Sequence, residues 1–323
     1  MRRAVPVAIG HFLPDRVVDN DWFAGFLDTS DHWIRSRSGI ERRHFAAEGE
    51  TTAGMAIAAA EHALSRAGLS ASDLDGIIVA TSTPDLTFPS TATMVQAGLQ
   101  AKAGFAFDVQ AVCAGFVFAL GTARAFIESG QADRLMVIGA ETFSRIMDWT
   151  DRGTCVLFGD GAGALVLEAQ DGAGTSADRG ILATDLNSDG QYRDLLYVDG
   201  GVSSTQTTGV LKMAGREVFR HAVEKLAETA ETALTEAGLS ARDVDWLVPH
   251  QANLRIISRT AQKMGLPMEK VIVTVQDHGN TSAASIPLAL SVGADLGHIT
   301  PGDLLVVEAI GGGLAWGAAV MRW

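Results

Sequence analysis

Two kinds of apolar run alternate along the chain. Short apolar runs, Gly76 to Ala80, Phe105 to Val109, Trp246 to Pro249 and Val271 to Val275, predict strands, and Gly76 to Ala80 and Trp246 to Pro249, continuously apolar, have the pattern of strands buried on both sides. Longer runs predict helices: Ala56 to Ala67 stopping at Gly68, Val218 to Ala237 stopping at Gly238, a run from just after Cys113 to Gly130, and Ala283 to Val292. The last two are rich in small residues and apolar nearly all round, so they predict helices enclosed by protein on every side. Ser188 to Thr208 breaks the pattern, being polar with several Gly and Thr, and reads as a surface excursion and candidate lid.

The alternation repeats. Ala63 to Val79 reads ALSRAGLSASDLDGIIV and Ala233 to Pro249 reads ALTEAGLSARDVDWLVP, with nine of seventeen positions identical at an offset of 170. Asp133-Arg-Leu-Met-Val falls on Asp303-Leu-Leu-Val-Val, and Phe118-Ala-Leu on Leu288-Ala-Leu, at the same offset. One spacing shared by three separate segments implies a duplication. The predicted fold is α/β, two similar halves (residues 1–172 and 173–323) whose sheets, related by a pseudo-twofold, sandwich the two apolar helices between them. Cys113 maps onto Ala283, so both halves carry the same strand-to-helix elbow and one of them carries a thiol.

Composition narrows the class. A net charge of −13 leaves no broad basic face for a nucleic acid, and an acidic partner must find a local basic patch. With 47% hydrophobic residues but no unbroken apolar run of membrane-spanning length, the chain predicts no bilayer segment. The opening Met-Arg-Arg-Ala-Val-Pro-Val lacks the apolar stretch of a secretory signal, and two cysteines, Cys113 and Cys155, fit a cytoplasmic protein. Their spacing suggests no metal site. Cys155, in the apolar context Gly153-Thr-Cys-Val-Leu, reads as a strand-like core residue.

Cys113 is preceded by a strand and followed by a helix, where first-turn N–H groups stabilise a thiolate and can receive an oxyanion. Position alone leaves two readings open, a nucleophile and a buried structural thiol. His250 leaves the carboxyl end of strand Trp246 to Pro249, the side on which open α/β sheets place ligands. His278 and Asn280 lie at the second elbow, so the pseudo-twofold brings Asn280 toward Cys113, with His250 arriving from the adjoining strand. The glycine runs Phe158-Gly-Asp-Gly-Ala-Gly163 and Gly311-Gly312-Gly313 lack the Lys-Ser/Thr of a phosphate loop and suit close backbone approach to a reacting centre.

Asp28-Thr-Ser-Asp-His-Trp-Ile through Arg37-Ser-Gly-Ile-Glu-Arg-Arg-His, Cys113-Ala-Gly-Phe, Phe158-Gly-Asp-Gly-Ala-Gly-Ala, Pro249-His-Gln-Ala-Asn-Leu-Arg-Ile-Ile and His278-Gly-Asn-Thr-Ser-Ala-Ala-Ser resemble beta-ketoacyl-acyl-carrier-protein synthase III over the whole chain. The resemblance implies a thiolase-like fold in five layers, α-β-α-β-α, and a homodimer initiating fatty acid synthesis without a cofactor, the CoA thioester being a substrate. Cys113 would accept the acyl group from an acyl-CoA, acetyl-CoA by expectation. His250 and Asn280 would stabilise the enolate formed when malonyl-acyl-carrier protein loses carbon dioxide. The Cys113 N–H and one of Gly311, Gly312 and Gly313 become candidate oxyanion donors. Chain-elongating relatives carry a second histidine where this chain has Asn280, and thiolases a second cysteine where it has Ile310.

By the same resemblance Trp33, Arg37 and Arg152 clamp the CoA adenine, Ser38 standing where threonine is expected, while Gly215 and Asn253 line the pantetheine tunnel. Phe88, Leu157, Phe158, Leu211, Met213 and Ile310 would shape the acyl pocket, Phe88 as the partner subunit's contribution. Arg255, Arg259 and Lys263 fall at i, i+4 and i+8, a basic stripe that reads either as a solvated face or as a dock for the acidic carrier protein. Gln251, Ala252, Asn253, Leu254 and Arg220 complete the docking candidates. Two rivals stand beside this reading: a starter-unit condensing enzyme or acyltransferase of specialised metabolism, and a catalytically silent scaffold.

Overall fold

The computed structural model describes residues 1–101 and 104–323. Strands β1 (Arg2–Phe12), β2 (Gly76–Ala80), β3 (Phe105–Val109), β4 (Arg134–Thr142) and β5 (Asp160–Asp171) form one sheet in the order β1-β5-β4-β2-β3. Strands β6 (Gly180–Ser188), β7 (Trp246–Pro249), β8 (Leu304–Gly311) and β9 (Ala315–Arg322) form a second in the order β7-β8-β9-β6. In the first, β2 runs parallel to β4 with Gly76 opposite Leu135; in the second, β7 runs parallel to β8 with Trp246 opposite Leu305. Both members of the second pair lie 170 residues beyond those of the first, so the sequence repeat is a repeat of register.

The principal helices are α1 (Asp31–Ser38), α2 (Thr52–Ala67), α3 (Gly115–Glu128), α4 (Gly215–Glu236), α5 (Leu254–Lys263) and α6 (Ser285–Asp295). Helix α2 covers the outer face of the first sheet, α3 and α6 lie between the sheets, and α4, with α5 beside it, covers the second, giving five layers. The central pair is enclosed as its composition predicts: Phe116, Leu120, Ile127, Ile286 and Leu290 pack with Val137 and Leu165 of one sheet and Leu305 and Val307 of the other. Helix α2 starts four residues before the apolar pattern suggests, because the Thr51 side chain accepts the Gly54 N–H and caps it there. Gly68, at φ 64°, ends it.

Two segments depart from expectation. Val271 to Val275 is not a strand: Val271 alone bridges to Leu247, and the chain turns into a short helix, Val275–His278. The buried Gln251 side chain takes the place of the ladder, donating to Pro249 O (2.8 Å) and Ile272 O (3.1 Å) and accepting from Thr274 N (2.8 Å) and Val275 N (3.1 Å). Cys155 is buried but lies in a turn, its N–H donating to Asp151 O. The Ser188 to Thr208 excursion is tied down near its middle, where Leu196–Val198 pairs with Leu211–Met213.

Candidate active site

The two elbows share a backbone strain. Val112 and Ser282, again 170 apart, are both non-glycine residues at φ 50°, each opening a single 3-10 turn, Val112–Ala114 and Ser282–Ala284. Each elbow rests on a strand of the opposite half. A Cβ on Gly311 of β8 would stand 2.7 Å from the Cys113 amide nitrogen, and one on Gly139 of β4 would stand 2.2 Å from Ala283 O. Glycine at these positions lets the strands come close enough to hold the strained turns.

Cys113, His250 and Asn280, all buried, face one cavity of about 730 Å³. Burial pushes the Cys113 thiol up to about 12. Burial thus opposes the stabilisation that the helix terminus gives a thiolate. Burial also lowers His250 to about 3, which keeps its imidazole neutral. Its Nδ1 lies 2.7 Å from Ser285 Oγ, which itself accepts the Gln251 N–H. With that hydroxyl donating to Nδ1, the imidazole proton sits on Nε2, where it is a donor. Asn280 is oriented the same way: its Oδ1 accepts the Ser282 N–H at 2.9 Å, leaving the amide NH₂ to donate.

The remaining candidates divide. Leu157, Phe158, Met213 and Ile310 line the cavity walls, joined by Leu196 from the excursion. Trp33, Arg37, Gly215, Asn253 and Arg255 line its more exposed part, with Arg216 and Phe219 beside them. The Arg37 guanidinium lies 4.5 Å from the Trp33 ring centre and that of Arg152 5.1 Å, so both cations already stack on the indole. Arg152 is further tied to Asp28. Leu211 is buried in the core and is not part of the lining; Phe88 is 83% exposed and outside the cavity of this chain. Gly311 and Gly312 back the elbow without lining the cavity, and Gly313 lies beside Ala315, away from both.

Among the docking candidates, Gln251 is excluded as a contact surface because its amide is consumed by the backbone bonds described above. Leu254, Arg255, Arg259 and Arg220 are exposed, and Ala252 and Asn253 half-buried, Asn253 capping α5 through Ile256 N. Lys263, at the far end of α5, borders a separate groove with Glu224, Glu228 and Glu231. His278 packs edge-on to His44, with ring centres 6.2 Å apart, and is not part of the cavity lining. Sequence reasoning passed over Ser282 and Ser285, although both stand in the segment that carries Asn280, and it passed over Glu141, which no local motif marks.

Models of the 3-oxoacyl-(acyl-carrier-protein) synthase III family match residues 107–190, and of its C-terminal part, residues 234–323. The beta-ketoacyl-acyl-carrier-protein synthase III of Ruegeria sp. (strain TM1040) is 75% identical over 322 residues, covering 100% of this chain and 99% of that protein. The chain belongs to the beta-ketoacyl-acyl-carrier-protein synthase III family. It is thus a condensing enzyme of the acyltransferase type, with the thiolase fold. The synthase III of Aquifex aeolicus VF5 superposes with a TM-score of 0.93 at 45% identity, covering 99% of this chain and 100% of that one. The priming beta-ketosynthase of the R1128 polyketide pathway superposes at 0.92 with 33% identity, over 99% and 96%.

Proposed function

We propose that this synthase III joins a short acyl-CoA, acetyl-CoA first among them, to malonyl-acyl-carrier protein, with Cys113, His250 and Asn280 as its reacting and stabilising groups. The observation that supports this reading is the meeting of one thiol and two oriented neutral donors in a single buried cavity whose outer part is aromatic and cationic. In the first half-reaction the Cys113 sulfur attacks the thioester carbonyl. Negative charge collects on its oxygen, which the Cys113 N–H stabilises, and the carbon–sulfur bond to CoA breaks, CoA leaving as a thiol with the proton that Cys113 gave up. In the second, malonyl-carrier protein places its thioester oxygen between His250 Nε2–H and the Asn280 amide. These neutral, preorganised donors stabilise the enolate as carbon dioxide departs. The carbanion attacks the acyl-Cys carbonyl, the carbon–sulfur bond to Cys113 breaks, the sulfur takes a proton from solvent to restore the thiol, and a 3-oxoacyl-carrier protein is released.

An adenine would enter the stack of Trp33 with Arg37 and Arg152, and the pantetheine arm would run past Gly215 and Asn253 to the thiol. The chemistry calls for no cofactor. The carrier protein docks on Arg255 and Arg220, and a second copy of the chain covers Phe88. No helix among the described residues is long and apolar enough to cross a membrane.

The test is intact mass spectrometry after mixing the protein with acetyl-CoA, then with malonyl-carrier protein. An acetyl adduct on Cys113 that gives acetoacetyl-carrier protein is the expected result. No adduct with any short acyl-CoA would overturn the enzyme reading in favour of a silent scaffold, and an adduct that never condenses would make the protein a simple acyltransferase.

A further inference from the structure

Glu141 is fully buried near the end of β4, and no step above uses it. It is the meeting point of four donors. Thr81 Oγ1 (3.3 Å), Ser82 N (3.0 Å) and Thr83 Oγ1 (2.6 Å) converge on Oε2, while Ser282 Oγ donates to Oε1 at 3.0 Å. The first three come from one turn of the first half, itself held where Thr83 O accepts the Thr52 hydroxyl and Thr83 Oγ1 accepts the Thr142 N–H. The fourth comes from the second half. Ser282 stands at φ 50°, a strained conformation for a residue with a side chain, which persists only where the surroundings enforce it. Its backbone N–H is the group that holds Asn280 Oδ1. The Asn280 backbone is fixed separately, its N–H donating to Leu157 O (2.8 Å) and its carbonyl accepting the Gly159 N–H (2.9 Å). What the Ser282 turn sets is therefore the direction of the amide.

The repeat supplies a comparison within the molecule. Glu141 and Gly311 are equivalent positions, 170 apart at the ends of β4 and β8, and each stands against the elbow of the opposite half. At the Cys113 elbow the strained residue is the apolar Val112, and the strand offers a glycine, which makes room and forms no side-chain bond. At the Asn280 elbow the strained residue is a serine, and the strand offers a carboxylate that bonds it. The grip lies on the elbow whose working group is a side-chain amide with a direction to keep.

We infer that Glu141 is a positioning residue for condensation: through the Ser282 hydroxyl it holds the second elbow so that the Asn280 amide points its NH₂ at the thioester oxygen. This rests on the reading of Asn280 as an enolate donor. The demands on position 141 differ at its two ends. On the first-half side it must present an oxygen, because the Ser82 backbone N–H can only donate. Toward Ser282 an acceptor or a donor serves equally, because a hydroxyl can play either part. Glutamine meets both demands, with its oxygen toward Ser82 and its NH₂ toward Ser282, and alanine meets neither.

The experiment separates the half-reactions in the full-length protein. Glu141→Ala removes the grip, Ser282→Ala removes the gripped hydroxyl while keeping the N–H that holds Asn280, and Glu141→Gln is the conservative replacement. Acetylation is timed by CoA release on mixing with excess acetyl-CoA. Each protein, once mass spectrometry shows complete acetylation, is then mixed with saturating malonyl-carrier protein. Glu141→Ala and Ser282→Ala should each slow condensation about tenfold, through misorientation of one reacting group, and leave acetylation within about threefold of the parent. Glu141→Gln should condense within about threefold of the parent. In an Asn280→Ala background, Glu141→Ala should slow condensation no further, because the group it positions is already gone. Equal losses in both half-reactions, or a further loss on top of Asn280→Ala, would make Glu141 a general structural clamp. A Glu141→Gln protein as slow as Glu141→Ala would assign the effect to the carboxylate's charge, and condensation at the parent rate in Ser282→Ala would remove the inference. Should Glu141→Ala fail to fold, Ser282→Ala and Glu141→Gln decide it. A parent protein that acetylates but never condenses would defeat the functional reading itself, a different result from any of these.

Discussion

Asn280 Oδ1 is held by the Ser282 N–H at 2.9 Å, so the amide can offer only its NH₂ to a bound thioester. Removing one oxyanion donor of this kind costs about 3 kcal/mol of transition-state stabilisation. Asn280→Ala should therefore lower condensation about a hundredfold while leaving acetylation of Cys113 nearly untouched. Rapid-quench assay of the two half-reactions checks this, and an equal loss of both would remove Asn280 from the enolate site. Glu308 makes a prediction in stability. Both its carboxyl oxygens are buried without a hydrogen-bond partner among the described residues, and burial alone raises it from 4.5 to about 8. The folded chain holds that proton while the unfolded chain gives it up, so the contribution of Glu308 to stability is full below pH 4.5 and falls as pH rises toward 8. Glu308→Gln, neutral at every pH, should gain on the parent between pH 5 and pH 8, by a few kcal/mol at the upper end. Thermal melting across that window is the measurement, and a gap that does not change with pH would count against it. His250 and His278 act on the acid side, both lowered by burial, so stability is also lost as pH falls below 6.5.

At the scale of elements, the legible parts were those whose cause is local. Strands 76–80, 105–109 and 246–249 fall where the short apolar runs put them, and Cys113, His250 and Asn280 stand at element ends that motif and repeat both mark. The failures have non-local causes. Val271 to Val275 carries a strand pattern, but Gln251, twenty or more residues earlier, supplies the hydrogen bonds a neighbouring strand would have supplied. Glu141 looks like one acid within an apolar strand, and its meaning depends on a serine from the other half. The same crossing of halves makes Gly139 and Gly311 irreplaceable. Alanine at 139 would press its Cβ to 2.2 Å from Ala283 O, and at 311 to 2.7 Å from both Ala111 O and Cys113 N. Overpacking of this kind costs about 1–3 kcal/mol or more. Both variants should melt earlier. Gly311→Ala should also slow acetylation, since it pushes on the turn that carries Cys113, whereas Gly139→Ala should bear more on condensation, through the elbow that holds Asn280. Melting curves and half-reaction rates test the pair; a reversed pattern would break the assignment of each strand to the opposite elbow.

The whole molecule carries a net charge of −13, and its cations are unevenly employed. Arg35, Arg42, Arg66, Arg124, Arg134 and Lys212 are each paired with a carboxylate. Arg216, Arg220, Arg255 and Arg259, on the two neighbouring helices α4 and α5, form no ion pair among the described residues. Arg216 and Arg255 line the outer part of the cavity, and Arg220 and Arg259 follow them one turn along the same two helices. An acidic carrier protein approaching this face gains from several charges at once, and that gain is screened beyond a Debye length of about 8 Å at physiological ionic strength. Arg220 is the cleanest probe because it is exposed on α4 but does not line the cavity. Arg220→Glu should raise the KM for malonyl-carrier protein about tenfold and flatten its salt dependence, with kcat and acetylation by acetyl-CoA unchanged, since rim charges act mainly on encounter. Steady-state kinetics from low to high salt, with the carrier-bound and CoA-bound substrates compared side by side, decide it. If both substrates weaken together, the charge serves the cavity as a whole; if neither does, the carrier protein docks elsewhere.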